Sequence, residues 1–191
     1  MGFTRDELLS YRNAEVRDLI GPGCRLMFVG INPGLWSAAT GAHFARRGNR
    51  FYPALYRAGI THHLIDASAG MRQADRDALI DSGIGITNVV SRASATAAEL
   101  TPAELRSGGQ RLRETVRRVA PRVVAILGIT AYRTAFGQRR AETGKQADPV
   151  DWSGAQLWVV PNPSGLNAHE TVDTLAVAYR EAAIAAGVIE A

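Results

Sequence analysis

Residues 25–34 read RLMFVGINPG, an apolar run that leads into glycine, asparagine and proline. A run this short, bounded by turn residues, is typical of a strand that is buried on both faces of a sheet. Several such strands separated by helices predict a three-layer α/β/α sandwich, with a mainly parallel four-stranded sheet between two layers of helices. The other predicted strands are GITNVV (85–90), RVVAILG (122–128) and QLWVV (156–160).

Helix signals fill the stretches between these strands. Thr4 and Thr101 are each followed by a glutamate three residues later, which is the spacing of a capping box, and Asn167 precedes Glu170 in the same way. The apolar positions after Thr101 keep to one face, which leaves Arg113 on the side expected to meet solvent. The predicted helices cover residues 4–20, 49–58, 75–82, 101–119, 131–136 and 167–186.

Length and composition indicate one globular domain over residues 1–191, with the helix over residues 4–20 as an N-terminal extension. Hydrophobic residues make up 46% and charged residues 21% of the chain, which excludes a disordered, collagen-like or coiled-coil protein. No apolar run approaches the roughly 18 residues that a membrane span needs. The first ten residues are charged, unlike a secretion signal. We therefore expect a cytoplasmic monomer with no membrane partner.

Cysteine content and charge narrow the classes of protein further. Cys24 is the one cysteine, so the chain cannot form an internal disulfide, and one thiolate is too few for a zinc or iron–sulfur site. We expect no metal and no cofactor. The 22 basic residues exceed the 18 acidic ones, and all are arginine except Lys145. This excess fits a polyanionic partner such as nucleic acid, and equally the codon usage of a GC-rich genome.

Three loops are expected at the carboxyl ends of the strands, where ligands bind in folds of this class. In the first loop, Pro33 biases Asn32 away from the helical region, so its amide either projects from the strand end or bonds its own backbone as in an ordinary turn. Phe44 lies further along in a polar, glycine-rich stretch, either stacked on a planar base or buried over the sheet. His43 beside it is either a hydrogen-bonding loop residue or an acid or base.

The second loop contributes Asn88, at the end of the second strand, and the third is NPSGLN at residues 162–167. Backbone N–H groups at a helix start favour a phosphate. Leu166 is either an exposed apolar wedge between base pairs or part of a hydrophobic staple. Arg46, Arg47 and Arg50 are candidates for phosphate contacts, although each could equally be a solvated surface residue.

Taken in order, these motifs resemble the mismatch-specific uracil-DNA glycosylase and thymine-DNA glycosylase family, within the uracil-DNA glycosylase superfamily. The resemblance covers roughly residues 25–185 and rests on GINPG (30–34), GNRF (48–51), GITNVV (85–90) and NPSGL (162–166), with GG (108–109) and AILG (125–128) between them. It implies hydrolysis of the N-glycosidic bond of uracil, and of thymine or some 5-substituted uracils, at G·U and G·T mispairs in double-stranded DNA. The target nucleotide is expected to be flipped out of the duplex.

The resemblance also implies roles for the candidate residues inside the pocket. Asn32 matches the residue that positions the attacking water, and the backbone at Ile31 and Gly34 would stabilise the departing base. Phe44 matches the aromatic residue that stacks on the flipped base. Beside it, the thymine-active branch carries a histidine and a pocket asparagine, which match His43 and Asn88; the bacterial mismatch enzyme has lysine in place of that asparagine.

By the same resemblance, Leu166 would fill the gap that the flipped nucleotide leaves in the duplex. Where the bacterial mismatch enzyme has a Ser-Arg pair, this chain has Asn167 and Ala168, which predicts a weaker preference for guanine opposite the lesion. The remaining contacts to DNA are expected from Ser164, Gly165, Asn167, Arg46, Arg47 and Arg50.

Lysine scarcity bears on the reaction. A glycosylase that also nicks the strand needs an amine to form a Schiff base with the sugar, and only Lys145 and the α-amine are available. We therefore expect a monofunctional enzyme of base excision repair, acting on the bacterial nucleoid. Two alternatives remain open. A lesion-binding protein that flips a base without cutting it predicts the loss of Asn32, and an α/β hydrolase of free nucleosides predicts no salt-dependent affinity for DNA.

Overall fold

The computed structural model describes residues 2–147 and 152–191 of the chain. Its strands are β1 (Leu26–Gly30), β2 (Ile84–Asn88), β3 (Val123–Leu127), β4 (Gly144–Lys145) and β5 (Gln156–Val160). They form one sheet in the order β2-β1-β3-β5-β4. All pairings are parallel except the one between β5 and the short β4, which is antiparallel.

Helices cover both faces of this sheet. They are α1 (Arg5–Ser10), α2 (Leu35–Thr40), α3 (Phe51–Arg57), α4 (Gln73–Asp81), α5 (Pro102–Val119), α6 (Ile129–Phe136) and α7 (Val172–Ala185), with a 3-10 turn at Ala97–Glu99. Successive side chains of β1 alternate between two hydrophobic cores, as the pleat of a strand requires. Leu26 and Phe28 pack with α3, α4 and α7, whereas Met27 and Val29 pack with α5 and α6. The predicted three-layer sandwich is therefore confirmed.

The sheet has five strands rather than the predicted four. All four predicted strands are present, with ends that shift by no more than two residues. The additional strand, β4, is two residues long and lies at the edge of the sheet, where Lys145 pairs with Trp158 of β5. A strand this short carries no periodic pattern, so the sequence alone does not reveal it.

The first helix is much shorter than residues 4–20. Thr4 caps it through the predicted capping box, but the helix ends at Ser10. Asn13 has a left-handed backbone with φ of 67°, and its N–H donates to the carbonyl of Ala93 at 2.9 Å, so a tertiary contact replaces the next helical turn. Leu19 then exchanges two backbone hydrogen bonds with Ile86 and covers the outer edge of β2, which would otherwise be unpaired.

The last helix begins at Val172, with Thr171 as its cap, and not at residue 167. Asn167 belongs instead to the preceding loop, where its side chain donates to the carbonyl of Asn162 at 3.2 Å. One short helix, α2, lies inside the stretch predicted as a continuous loop. Arg113 is half-buried rather than in solvent, because its guanidinium lies 5.3 Å from the ring centre of Phe136 and 5.8 Å from that of Trp152.

Two further observations bear on the expectations of no membrane span and no metal site. Residues 2–147 and 152–191 contain no helix that is both long enough and apolar enough to cross a bilayer. The same residues bring together no group of three or more histidine, cysteine, aspartate or glutamate side chains suited to a metal ion. Cys24 is buried, and burial raises the pKa of its thiol to about 11, so it is a protonated core residue near neutral pH.

Candidate functional site

A cavity of about 240 Å³ opens at the carboxyl edge of the sheet, where β1 and β2 end. Loops that are far apart in the sequence meet there because the carboxyl ends of parallel strands share one edge. The cavity brings together the predicted site residues Ile31, Asn32, Gly34, His43, Phe44, Arg46, Asn88, Ser164 and Leu166. The other predicted site residues, which are Arg47, Arg50, Gly165 and Asn167, do not line it.

Asn32 is held so that its amide nitrogen faces the protein. Nδ2 donates to the carbonyl oxygens of Arg92 at 3.0 Å and Pro33 at 3.2 Å, and to Oγ of Ser94 at 2.8 Å. Three acceptors around one end of the side chain identify that end as the nitrogen. Within the described part of the chain, no group donates to Oδ1. The side chain of Asn32 therefore binds the loop at Arg92 and Ser94 as well as its own turn. Its Oδ1 stays available as a hydrogen-bond acceptor.

Ser94 is a site residue that the sequence did not mark. Its hydroxyl donates to the carbonyl of Thr96 at 2.7 Å, so its oxygen acts as an acceptor toward Asn32. The side chain is buried and also lines the cavity. In the sequence, Ser94 lies in a small, polar stretch at residues 93–98, and nothing in its spacing distinguishes it from the neighbouring turn residues.

The carbonyl of Arg92 that holds Asn32 is itself fixed by a side chain. The guanidinium of Arg92 forms two hydrogen bonds with the carboxylate of Glu104, at 2.5 and 3.2 Å. These hydrogen bonds are the main cause that lowers the pKa of Glu104 to about 2, so the pair stays charged at any ordinary pH. The first turn of α5 thus anchors the loop that supports Asn32.

Phe44 forms one wall of the cavity. Its ring stacks on Phe51 with the ring centres 4.1 Å apart, and the residue is half-buried, so part of the ring remains accessible from the cavity. The backbone of Phe44 has φ of 54°, a conformation that is costly for a bulky residue and that points to a functional constraint. A Cβ at Gly30 would overlap Oδ1 of Asn88 and lie 3.2 Å from the Phe44 ring, which explains the glycine at the end of β1.

His43 and Asn88 form a neutral pair beside Phe44. Nε2 of His43 lies 3.1 Å from the carbonyl oxygen of Arg17, so it carries the proton. Nδ1 is then an acceptor for Nδ2 of Asn88 at 3.2 Å. Burial lowers the pKa of His43, which keeps the ring neutral near physiological pH. His43 is therefore a hydrogen-bonding residue in this structure, and it fixes the orientation of the Asn88 amide.

Among the residues that line this cavity in the described part of the chain, none is aspartate, glutamate, cysteine or lysine. The polar groups present are amides, hydroxyl groups, one imidazole and one guanidinium. An amide is neutral and a very weak base, so it orients a water molecule without removing its proton. The cavity is therefore suited to a reaction in which the leaving group departs before water attacks.

The rim of the cavity carries a loop over residues 162–170, which we call the wedge loop. Leu166 at its tip has 74% of its surface exposed, which excludes a role as a buried staple. The loop is closed by its own hydrogen bonds: the N–H of Ser164 donates to Oδ1 of Asn162 at 2.9 Å, and the N–H of Asn167 donates to the carbonyl of Ser164 at 2.9 Å. Asn162 is a second residue that the sequence analysis did not single out.

The three candidate arginines have different surroundings. Arg46 and Arg47 are exposed, and Arg46 lies at the cavity itself. Arg50 is half-buried, and its guanidinium donates to three carbonyl oxygens of the wedge loop. Its two terminal nitrogens thus bind the protein, whereas Nε has no partner in the described residues, and a phosphate contact of Arg50 stays a prediction.

Comparison with known proteins completes the description of the site. The sequence model described as "Uracil DNA glycosylase superfamily" matches residues 18–184 of the chain. The fold is similar to the solution NMR structure of a candidate uracil DNA glycosylase from Methanosarcina acetivorans, with a TM-score of 0.58 and 16% sequence identity. That alignment covers 92% of this chain and 98% of the other. At this identity the second comparison bears on the fold alone.

Proposed function

Since the chain belongs to the uracil DNA glycosylase superfamily, we propose that it hydrolyses the N-glycosidic bond of uracil in G·U mispairs of double-stranded DNA and leaves an abasic site. Membership of the superfamily supports a role in DNA repair as an N-glycosylase. The mismatched substrate, the flipped base and the residue roles below are the finer parts of the proposal.

The observation that carries the proposal is that Asn32 and the aromatic ring of Phe44 line one cavity. Asn32 keeps Oδ1 free to accept a hydrogen bond from water, while Phe44 offers a ring face in the same cavity. Leu166 stands exposed at the rim. In the proposal, a planar base stacks on Phe44 and a water molecule on Asn32 attacks its sugar. This set of groups fits a nucleotide that has left the duplex.

The proposed reaction proceeds by departure of the base and subsequent attack by water. The bond between C1′ and N1 of uracil breaks, and its electron pair stays on the base, which leaves as an anion. Oδ1 of Asn32 holds a water molecule whose oxygen adds to C1′, and the proton that this water loses ends on the base or in solvent. Hydrogen-bond donors around the base stabilise the developing negative charge. We assign this role to the backbone at Ile31 and Gly34, both of which line the cavity.

One general argument and one feature of the chain support a mispaired and 5-substituted substrate. Flipping costs least where pairing is already weak, so G·U and G·T sites are the natural substrates. The neutral pair of Asn88 and His43 lies beside the base-stacking ring and places no cationic side chain there. We propose that 5-fluorouracil and thymine opposite guanine are released as well as uracil.

The test is base release from a labelled duplex that carries one G·U pair, with alkali to reveal abasic sites. The wild-type protein should release uracil, and the Asn32→Ala variant should lose the activity while it still binds the same duplex in a gel-shift assay. Loss of one positioned group in such a site costs about 100-fold or more in rate. The same duplex with 5-fluorouracil or thymine in place of uracil tests the range of bases.

Each other outcome has a definite meaning. If the wild type binds the duplex and releases no base, the protein is a lesion-binding module. If it cleaves free deoxyuridine and ignores the duplex, it is a nucleoside hydrolase. If it releases uracil and Asn32→Ala is equally active, the water is positioned elsewhere and the assigned role of Asn32 is wrong.

A further inference from the structure

Arg50 occupies an unusual position for a basic residue near a DNA-binding site. Its guanidinium donates to the carbonyl oxygens of Ser164, Asn167 and Glu170, with a distance of 2.6 Å for the bond to Asn167. These three acceptors are spread over the whole wedge loop. A planar guanidinium has five N–H donors in a fixed fork, so it is well suited to hold several carbonyl groups in one arrangement.

The backbone next to Arg50 reinforces this contact. The N–H of Arg50 donates to the carbonyl of Pro163 at 2.9 Å. Gly165 packs so closely on Gly48 that an added Cβ would lie 2.8 Å from the Gly48 carbonyl oxygen. Residues 48–50 and the wedge loop therefore form one packed unit, although they are more than 100 residues apart in the sequence.

The same segment connects the wedge loop to the aromatic wall. Phe51 follows Arg50 directly at the start of α3, and its ring stacks on Phe44 at 4.1 Å between centres. Phe51 is fully buried against Phe28 of β1 and Tyr179 of α7, so it does not move independently of the core. Arg50 and Phe51 together fix Leu166 at the rim relative to the ring of Phe44.

We propose that Arg50 is a positioning residue that holds the wedge loop in the shape that presents Leu166 to the duplex. This inference rests on the proposed function for its enzymatic consequence. A loop that is already ordered before DNA binds loses less conformational entropy when it enters the duplex, which favours the flipped state. Without the guanidinium, three backbone carbonyl oxygens lose their shared donor, and the loop samples other shapes.

A phosphate contact by Arg50 is the competing explanation, and Arg50→Lys separates the two. Lysine keeps the positive charge, but its compact ammonium lacks the planar fork that spans three carbonyl groups. A phosphate contact would survive this substitution almost unchanged, whereas the wedge loop would lose its anchor.

The first experiment measures amide hydrogen exchange in the free protein. In Arg50→Lys, the amides of residues 164–170 should exchange about tenfold faster than in the wild type, since a hydrogen bond to a charged group is lost. The core strands should exchange at their normal rates. Arg57→Lys is the matched control, because Arg57 lies at the other end of α3 and pairs with Asp173 at 2.7 Å; it should leave the exchange of residues 164–170 unchanged.

The second experiment is a double-mutant cycle on uracil release from the G·U duplex, with Arg50→Lys, Leu166→Ala and the double variant. If Arg50 acts through Leu166, Arg50→Lys lowers the rate about tenfold in the wild-type background and by less than about twofold in the Leu166→Ala background. Equal losses in both backgrounds would overturn the inference, as would unchanged exchange in the wedge loop.

Gly165→Ala provides a second variant in case Arg50→Lys fails to fold. It disturbs the same packed unit at the contact between Gly165 and Gly48 and leaves the guanidinium in place. It should also raise the exchange of residues 164–170 and show the same loss of effect in the Leu166→Ala background. If the wild type releases no uracil, the proposed function fails, and the exchange measurement still decides whether Arg50 orders the wedge loop.

Discussion

The imidazole of His43 and the amide of Asn88 are joined by a hydrogen bond of 3.2 Å between Nδ1 and Nδ2 at the wall of the cavity. This bond exists in the neutral ring alone, because Nε2 already donates its proton to the carbonyl of Arg17. A second proton on the ring would place two donors against each other. The orientation of Asn88 thus depends on the protonation state of a buried histidine.

Stability should therefore fall on acidification through His43. Burial is the main cause that lowers the pKa of His43 in the folded protein below its ordinary value of 6.5, with Asp18 opposing and Arg76 reinforcing the shift. Below pH 6.5 the unfolded chain binds a proton that the folded protein does not, so the free energy of unfolding decreases as the pH falls. Urea unfolding between pH 5 and 8 measures this slope, and His43→Gln should flatten it.

His62→Gln is the control for this measurement. His62 is an exposed histidine in the loop before α4, so its substitution controls for the loss of an imidazole outside the pair of His43 and Asn88. A slope that His43→Gln leaves unchanged would show that other groups, such as the carboxylate of Asp75, dominate the acid sensitivity.

Ser94 should act on the rate of base release through Asn32. Ser94→Ala removes one of the three acceptors that hold Nδ2 of Asn32, so the free Oδ1 is less well oriented. We expect kcat for uracil release to fall by up to about tenfold, with little change in KM, since the worth of one such hydrogen bond is about 0.5–1.5 kcal/mol.

The matched control for Ser94 is Ser91→Ala. Ser91 is exposed three residues earlier, and its hydroxyl donates to Glu15 at 2.7 Å, away from Asn32. This variant should keep the wild-type kcat. A rise in KM for Ser94→Ala with kcat intact would instead assign Ser94 to substrate binding.

The contrast between these residues shows how far the sequence alone leads. The four long strands were predicted because each is an apolar run, and the placement of Asn32 and Phe44 in one loop and of Leu166 in another at the same edge follows from parallel topology. Ser94 was missed, and the contacts of Arg50 with the wedge loop were not foreseen, because both depend on what packs beside these residues in the fold. In the sequence, Arg50 looks the same as Arg46, and only the contacts with the wedge loop distinguish the two.

The first helix shows the same limit in a local element. Its start was predicted from the capping box at Thr4, which is a contact between near neighbours. Its end was not, because the chain leaves the helix to donate from Asn13 to Ala93 and to pair Leu19 with Ile86. These partners are more than 60 residues away along the chain, so no local sequence pattern predicts the contacts.

Arg46 and Arg47 should set the salt dependence of DNA binding. Both are exposed close to the cavity, where the backbone of a bound duplex would pass. Each phosphate contact that is lost reduces the slope of log K against log salt by about 0.9. We expect Arg46→Gln and Arg47→Gln each to lower the slope by about one, measured by fluorescence anisotropy from 50 to 200 mM salt.

Arg117→Gln is the control for these variants. Arg117 lies on the exposed side of α5, away from Arg46 and Arg47, and its substitution removes the same charge. It should leave the slope of log K against log salt unchanged. Arg50→Lys should leave it as well, since its guanidinium binds the wedge loop. Equal effects of all the arginine variants would indicate that general charge, rather than a defined binding face, attracts the DNA.

Lys145 should take no part in the reaction, which predicts an enzyme that leaves the strand intact. It lies on β4, and the order β2-β1-β3-β5-β4 separates that strand from β1 by three steps. At about 4.8 Å a step, the backbone of Lys145 is roughly 14 Å from β1, and Lys145 does not line the cavity. We therefore expect no Schiff base between Lys145 and a sugar bound beside Asn32. Borohydride added during turnover should trap no protein–DNA adduct, and the product should break only after alkali treatment.

Lys145→Gln should release uracil at the wild-type rate. A trapped adduct that disappears in Lys145→Gln would require the sheet edge to reach the DNA by a large rearrangement, and one that persists would assign the nucleophile to the α-amine.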